Sequence, residues 1–281
     1  MQKIRIAIIQ TRWPGERESM QEVYRQKVAE AARSGAQLVC LQEFSISPYF
    51  ASTLDPSGFD WAEPLEGGPT HQFLGQLART HGVHIIGSIF ERDGDKFWDT
   101  ATLYNPQGKL HGFTRKVHIP QGEGYHEDHF FAGSNQYPIH EVLGVKIAIP
   151  TCYDQWFPEM SRICALNGAE FIFYPTAIGS EPTNPGVDTK DAWQTVMRGQ
   201  AIASGVFIAA ANRVGVEGVT FYGSSFVCEP NGTLIAQASR DRDELLVVDL
   251  DPTALEEWRR LFPLLGQRRP DVYGKISQAA D

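Results

Sequence analysis

Val145-Lys-Ile-Ala-Ile-Pro-Thr-Cys-Tyr153, Pro158-Glu-Met-Ser-Arg-Ile-Cys-Ala-Leu-Asn-Gly168 and Glu170-Phe-Ile-Phe-Tyr-Pro-Thr176 follow one another with only short gaps. The first and third runs are short and rich in β-branched and aromatic residues, as strands are. The second carries Pro at its first turn and Gly just past its end, which is how helices are punctuated. Strand, helix and strand in such quick succession read as one step of an α/β protein.

The same alternation extends in both directions. Upstream, Lys3–Gln10 reads as a strand and Glu16–Ser34 as a helix, with Met20, Tyr24, Val28 and Ala31 on one face and Gly35 closing it. Ala36–Glu43 is the next strand, and a helix from Pro69 to Gly82 leads into strand Val83–Glu91. Asp93-Gly-Asp95 is a turn signal that makes Trp98–Tyr104 a hairpin partner. His111 to Pro138 is rich in Gly, His and Pro and reads as loop. Downstream come a helix at Asp188–Ser204 and strands at Val206–Arg213, Thr220–Glu229, Thr233–Ala238 and Leu245–Asp249, with Pro230-Asn-Gly232 as a hairpin turn. A short helix near Thr253–Leu261 precedes an irregular tail, residues 263–281. So many strands exceed one open sheet, and the hairpins break the repeat of an eight-fold barrel. Two packed mixed sheets with helices outside remain, and the absence of a linker predicts one domain over 1–281.

Composition narrows the function. The 281 residues are 42% hydrophobic and 21% charged, with 34 acidic against 25 basic residues and a net charge of -9. No basic cluster suggests nucleic acid as a partner, and a cationic or neutral small molecule is the easier expectation. Apolar runs such as Gly205–Ala211 fall far short of the roughly 20 residues of a membrane helix. The N-terminus enters its first strand without signal-peptide architecture, which predicts a cytoplasmic protein with reduced thiols. Neither a dinucleotide fingerprint nor a phosphate loop occurs, so nothing supports a nucleotide cofactor.

Cys152 stands where a strand gives way to a helix, an elbow that exposes a nucleophile beside free backbone N–H groups. A cysteine is also a common packing residue, and the local residues leave both readings open. Cys40, Cys164 and Cys228 lie inside predicted elements and read as packing. Glu43, at the end of an apolar strand, is a carboxylate whose burial would raise its pKa toward that of a general base. Lys116 follows Arg115 in Phe113-Thr-Arg-Lys-Val-His118, a weak signal taken alone. His126-Glu-Asp-His129 lacks the order and helical face of a metal site, so no metal is expected. His118 or His129 could instead serve as a base for Cys152.

Taken in order, Gln42-Glu43, Arg115-Lys116-Val-His118 and Cys152-Tyr-Asp-Gln-Trp-Phe-Pro-Glu159 resemble the Glu, Lys and Cys motifs of the nitrilase, or carbon-nitrogen hydrolase, superfamily. The similarity runs over nearly the whole chain, including Asn212-Arg213 and Phe221-Tyr-Gly-Ser-Ser-Phe226. It implies a four-layer αββα sandwich that forms homodimers or larger homo-oligomers, with the 263–281 tail in oligomer contacts. It also implies a thiol hydrolase without metal or organic cofactor: Glu43 as general base, Cys152 as nucleophile, Lys116 beside the oxyanion and Glu127 as a supporting carboxylate. Ser45-Ile-Ser-Pro-Tyr-Phe50, His118-Ile-Pro120 with Tyr125, and Tyr174 to Pro182 are most similar to the branch that hydrolyses N-carbamoylputrescine. On that resemblance Glu181 would meet the substrate's ammonium, while Tyr49, Tyr125, Tyr153 and Trp156 would bind the rest. The chain departs from the branch at Ala192, Gln200 and Pro150. An N-carbamoyl-β-alanine, N-carbamoyl amino acid or ω-amide hydrolase is the alternative, and an inactive binding scaffold is the remoter one.

Overall fold

The computed structural model describes residues 3–279. In chain order its elements are β1 (Ile4–Gln10), α1 (Arg17–Arg33), β2 (Leu38–Cys40), α2 (Pro69–His81), β3 (His84–Asp93), β4 (Lys96–Tyr104) and β5 (Leu110–Arg115). There follow α3 (Glu127–Phe130), β6 (His140–Val142), β7 (Val145–Ala148), α4 (Pro158–Leu166), β8 (Phe171–Pro175), α5 (Lys190–Ser204) and β9 (Phe207–Ala211). The chain then forms β10 (Val214–Glu217), β11 (Val219–Tyr222), β12 (Phe226–Cys228), β13 (Leu234–Gln237), β14 (Glu244–Leu250) and α6 (Pro252–Leu261).

Two six-stranded sheets result, ordered β14-β1-β2-β3-β4-β5 and β13-β12-β9-β8-β7-β6. In each, the central pairs β1–β2–β3 and β7–β8–β9 are parallel and the flanking pairs antiparallel, so both sheets are mixed. Alternation along each strand dictates the layering, because successive side chains point to opposite faces. Ile4, Ile6 and Ile8 of β1 meet Phe171 and Phe173 of β8 and Phe207 and Ala209 of β9 between the sheets. The intervening Ala7 and Ile9 pack outward with Met20, Tyr24, Val28, Phe73 and Leu74 of α1 and α2. On the other side Ile172, Tyr174 and Ile208 pack with Met160 and Cys164 of α4 and Trp193 and Met197 of α5. Strands covered on both faces read as unbroken apolar runs, as these do. The architecture is the expected αββα sandwich.

Several boundaries differ from the sequence expectation, each for a physical reason. His111–Arg115, expected as loop, belongs to β5, which is paired by its backbone to β4 despite its Gly and His content. The run Thr220–Glu229 is two strands, because Gly223 and Ser224 both take left-handed φ (53° and 58°) and turn the chain from the β10–β11 ribbon into the second sheet. A Cβ at Gly223 would lie 2.7 Å from both Ser239 O and a Val214 methyl, so the turn has room for glycine alone. β2 and β7 stop at Cys40 and Ala148, which puts Glu43 and Cys152 in loops beyond the strands' carboxyl ends. That rim is where open α/β sheets place ligand sites. Of the tail, residues 280 and 281 lie outside the described chain, and no helix among the described residues is long and apolar enough to cross a membrane.

Phe171 and Phe207 stack between the sheets with centroids 4.9 Å apart. Phe207→Ala should therefore cost about 3–5 kcal/mol in chemical denaturation, whereas replacing an exposed residue such as Val216 should stay within about 0.5 kcal/mol.

Candidate active site

The β4–β5 hairpin delivers Lys116. Its N–H donates to Asp99 O at 2.9 Å, and its side chain runs into the interior, where it is completely covered. The ammonium donates to Glu43 Oε1 at 2.9 Å and to Glu127 Oε2 at 2.5 Å. Asp99 Oδ2 lies 3.2 Å away as an ion pair but takes no hydrogen bond. An ammonium has three N–H groups, so one stays available for a reacting oxygen. Glu127 is brought in by the short helix α3, and Tyr49 donates to its other oxygen at 3.1 Å.

Glu43 reaches this cation through a strained loop. Phe44 has φ +49°, uncommon for a side chain of that bulk, and such strain persists only where the surroundings hold it. Here Arg213, fully buried and paired with Glu217, donates to the carbonyls of Glu43, Phe44 and Ser47 at 3.0, 2.7 and 2.8 Å. From the other side Phe44 N–H donates to Ser88 Oγ at 3.1 Å. The second oxygen of Glu43, Oε2, is buried without a hydrogen-bond partner, free to take a proton.

Cys152 opens a 3-10 turn, Cys152–Trp156, as the elbow reading expects. The first N–H groups of such a turn have no partner within it, which leaves that of Tyr153 available for an oxyanion. The turn is held from behind. Asp154 accepts from His118 N and Nδ1 at 2.9 and 2.7 Å, Gln155 donates to Cys152 O, and Trp193 donates to Gln155 Oε1 at 2.9 Å. Gln200, one of the departures, donates to Gln155 O at 2.7 Å and so belongs to this brace. Pro150 is buried just ahead of the elbow, and Ala192 faces away into a surface groove between α4 and α5. The thiol donates weakly to Ala177 O at 3.4 Å.

A cavity of about 440 Å³ opens onto the thiol, with Tyr125, Glu127, Tyr153, Trp156, Ile178 and Glu181 among its walls. Five of the expected residues, Glu127, Tyr125, Tyr153, Trp156 and Glu181, thus meet Cys152 in one space. Tyr49 does not line it: the ring is buried and serves Glu127, so its place is behind the site. The histidine alternatives fail on geometry. His118 is bound to Asp154 and stacked on Phe157 at 3.7 Å, and the His129 ring packs on Phe59 and Phe130. His126 lies 3.9 Å from Glu123. The larger groove between α4 and α5, about 750 Å³, holds none of the charged cluster.

Burial dominates the electrostatics. It pushes the Glu43 carboxyl well above the usual range; Lys116 pulls it down, and Asp99 and Glu127 push it further up. Glu127 is raised for the same reasons. Burial opposes the Lys116 ammonium, yet Glu127, Glu43 and Asp99 overcome it and hold the cation firmly charged. The Cys152 thiol is held well above its usual value by burial and then by Glu43. The resting site thus combines a neutral thiol, a fixed cation and a carboxyl with strong proton affinity. Oxygens of Glu43, Asp99 and Glu127 lie within 4.8 Å of one another, a grouping suited to a cation, and Lys116 is the cation they hold.

The family model for carbon-nitrogen hydrolase matches residues 5–260. The chain belongs to the carbon-nitrogen hydrolase family. It is 35% identical to a citrullinase of Francisella tularensis, over 98% of this chain and 99% of that protein. It is 37% identical to an N-carbamoylputrescine amidase of Solanum lycopersicum, over 88% and 85%. A solved carbon-nitrogen hydrolase from Helicobacter pylori superposes with a TM-score of 0.93 at 33% identity, covering 100% of both chains.

For a carbon-nitrogen hydrolase the residues that sequence reasoning missed are those behind the site. Asp99 is an isolated acid in a strand otherwise read as hairpin, and Ser88 a lone serine in β3. Neither carries a local signal, since their partners come from distant chain segments. Arg213 stood out as part of a motif, without a role. All four cysteines are buried, and only Cys152 lines the cavity. Iodoacetamide near neutral pH should modify one cysteine per chain first, with peptide mapping placing it at Cys152. First labelling of Cys40, Cys164 or Cys228 would contradict the site and favour an inert scaffold.

Proposed function

We propose that this carbon-nitrogen hydrolase cleaves the ureido bond of a small carbamoylated amine, best fitted by N-carbamoylputrescine, to putrescine, CO2 and ammonia. The observation that carries this reading is the charge of the cavity: its walls include the carboxylate of Glu181, and no lysine or arginine is among the described residues lining it. A distal ammonium would pair with Glu181, while Tyr125, Trp156 and Ile178 offer apolar surface to a methylene chain. N-carbamoyl-β-alanine, with a distal carboxylate alone, would find no cation there to offset desolvation, and citrulline could pair its ammonium with Glu181 but would leave its carboxylate without a cation. The likeness to plant N-carbamoylputrescine amidases supports the same choice.

In this reading Glu43 Oε2 takes the thiol proton as Cys152 Sγ attacks the ureido carbon. The carbonyl oxygen becomes an oxyanion, met by the remaining Lys116 N–H and the Tyr153 N–H. Collapse breaks the C–N bond, and the departing nitrogen takes the proton from Glu43. Water then gives a proton to Glu43 and adds to the thioester carbon; expulsion of the sulfur, which regains the proton, restores the site and releases a carbamic acid, which breaks its own C–N bond to give CO2 and the second nitrogen product. Glu127 holds Lys116 throughout, and the sequence calls on no metal or organic cofactor. The reading also gives the tail beyond Pro263 to contacts between copies of the chain, supported by exposed Leu264, Val272 and Ile276.

Ammonia release with N-carbamoylputrescine, N-carbamoyl-β-alanine and citrulline side by side tests the proposal. The cationic substrate should be strongly preferred, and Cys152→Ala should lose about 10³-fold or more in kcat. Glu181→Gln should raise KM for N-carbamoylputrescine about tenfold, equivalent to about 1.4 kcal/mol, with kcat kept. Preference for N-carbamoyl-β-alanine would overturn the reading of the pocket, preference for citrulline the choice of substrate, and undiminished turnover by Cys152→Ala the chemistry.

A further inference from the structure

Asp99 has no part in the steps above, yet it touches both ends of the catalytic pair. Its carbonyl accepts the Lys116 N–H at 2.9 Å, and its Oδ2 lies 3.2 Å from the Lys116 ammonium. Its Oδ1 accepts from Ser88 Oγ at 3.1 Å, and the same Ser88 oxygen accepts from Phe44 N–H at 3.1 Å. A short chain of bonds thus runs from Asp99 to the strained residue immediately after Glu43. Ser88 has a single hydroxyl proton, and Phe44 occupies the oxygen as a donor, so that proton goes to Asp99 and Oδ1 is bound as an acceptor. Asp99 is fully buried, and its Oδ2 has no hydrogen-bond partner. Two buried carboxylates, those of Glu43 and Glu127, already outnumber the one ammonium. A third is costly and has no value for packing alone.

We propose that Asp99 is a positioning residue of the hydrolysis, a third carboxylate that fixes Lys116, braces the Glu43 loop through Ser88 and sets the pH range over which Glu43 acts as base. The inference rests on the reading of Glu43 as general base. The charged and titratable groups facing Glu43 are Lys116 from the end of β5, Glu127 from α3, Asp99 from β4, Cys152 from the elbow and the Tyr49 phenol. Within this set Lys116 favours the Glu43 carboxylate, while Asp99 and Glu127 oppose it. Removing the charge of Asp99 therefore lets Glu43 lose its proton at lower pH.

The pH profile of Cys152 alkylation by iodoacetamide tests this without depending on the substrate. Asp99→Asn keeps the shape and removes the charge, and its acid limb should move down by about one pH unit or more. Ser88→Ala cuts the link that tethers the Asp99 carboxylate to the Glu43 loop, so that its charge is no longer held against Glu43, and should move the limb the same way by less. Thermal melting identifies a variant that fails to fold; if Asp99→Asn does, Ser88→Ala decides alone. A limb unmoved in the folded variants overturns the role of Asp99, which as a merely structural residue would change melting and leave the profile in place. A Glu43→Gln enzyme that keeps the wild-type limb overturns Glu43 as base, and this inference with it.

Discussion

A lysine ammonium with no exposure to solvent can stay charged only if the chain brings negative groups to it, and the rest of the site follows from that demand on Lys116. Its partners come from three separate segments: the loop after β2, strand β4 and the short helix α3. Each is fixed by a different part of the sandwich, so the cluster forms only when the first sheet and its covering loops are complete. Three carboxylates around one cation would leave two negative charges in a dry interior if all were ionised. The site is therefore bound to keep a proton, and the raised proton affinities of Glu43 and Glu127 express that. A base that holds its proton strongly is suited to receiving one from a thiol and returning it to a departing nitrogen.

The position of Glu43 is bought with backbone strain at Phe44, and the hold on that strain ties the two sheets together. Arg213 lies just beyond β9 in the second sheet and grips three carbonyls of a loop that extends from the first. Cys152, the proposed nucleophile, also belongs to the second sheet, on the loop after β7, with its elbow braced through Gln155 by Trp193 and Gln200 of α5. The reaction centre is thus a seam between two halves of the molecule. Its geometry depends on how closely the sheets pack, which is the work of Ile6, Phe171, Phe207 and their neighbours.

What the sequence revealed follows the same division. Strands buried on both faces, helices with capped ends and the turn at Pro230–Gly232 are local patterns, and their reading carried through to the αββα layers. Glu43, Lys116, Glu127 and Cys152 were legible together, through motif order, although each was weak alone. Asp99 and Ser88 were not, because a buried acid in a hairpin strand has meaning only once Lys116 and Phe44 are folded against it. Tyr49 sat in a recognisable motif whose aromatic ring suggested a substrate wall, and the fold turns its hydroxyl to Glu127. The extent of β5 was hidden by His111 and Gly112, residues that pairing with β4 tolerates.

In the proposed reaction Cys152 attacks carbon and carries part of the substrate through to hydrolysis. The most direct measurement here is the mass of the protein after acid quenching during turnover of N-carbamoylputrescine, followed by peptide mapping. A carbamoyl or alkylcarbamoyl adduct is expected on the peptide that contains Cys152, and none on that of Cys152→Ala. Steady turnover with an unmodified Cys152 peptide, or an adduct on another residue, would contradict that reaction.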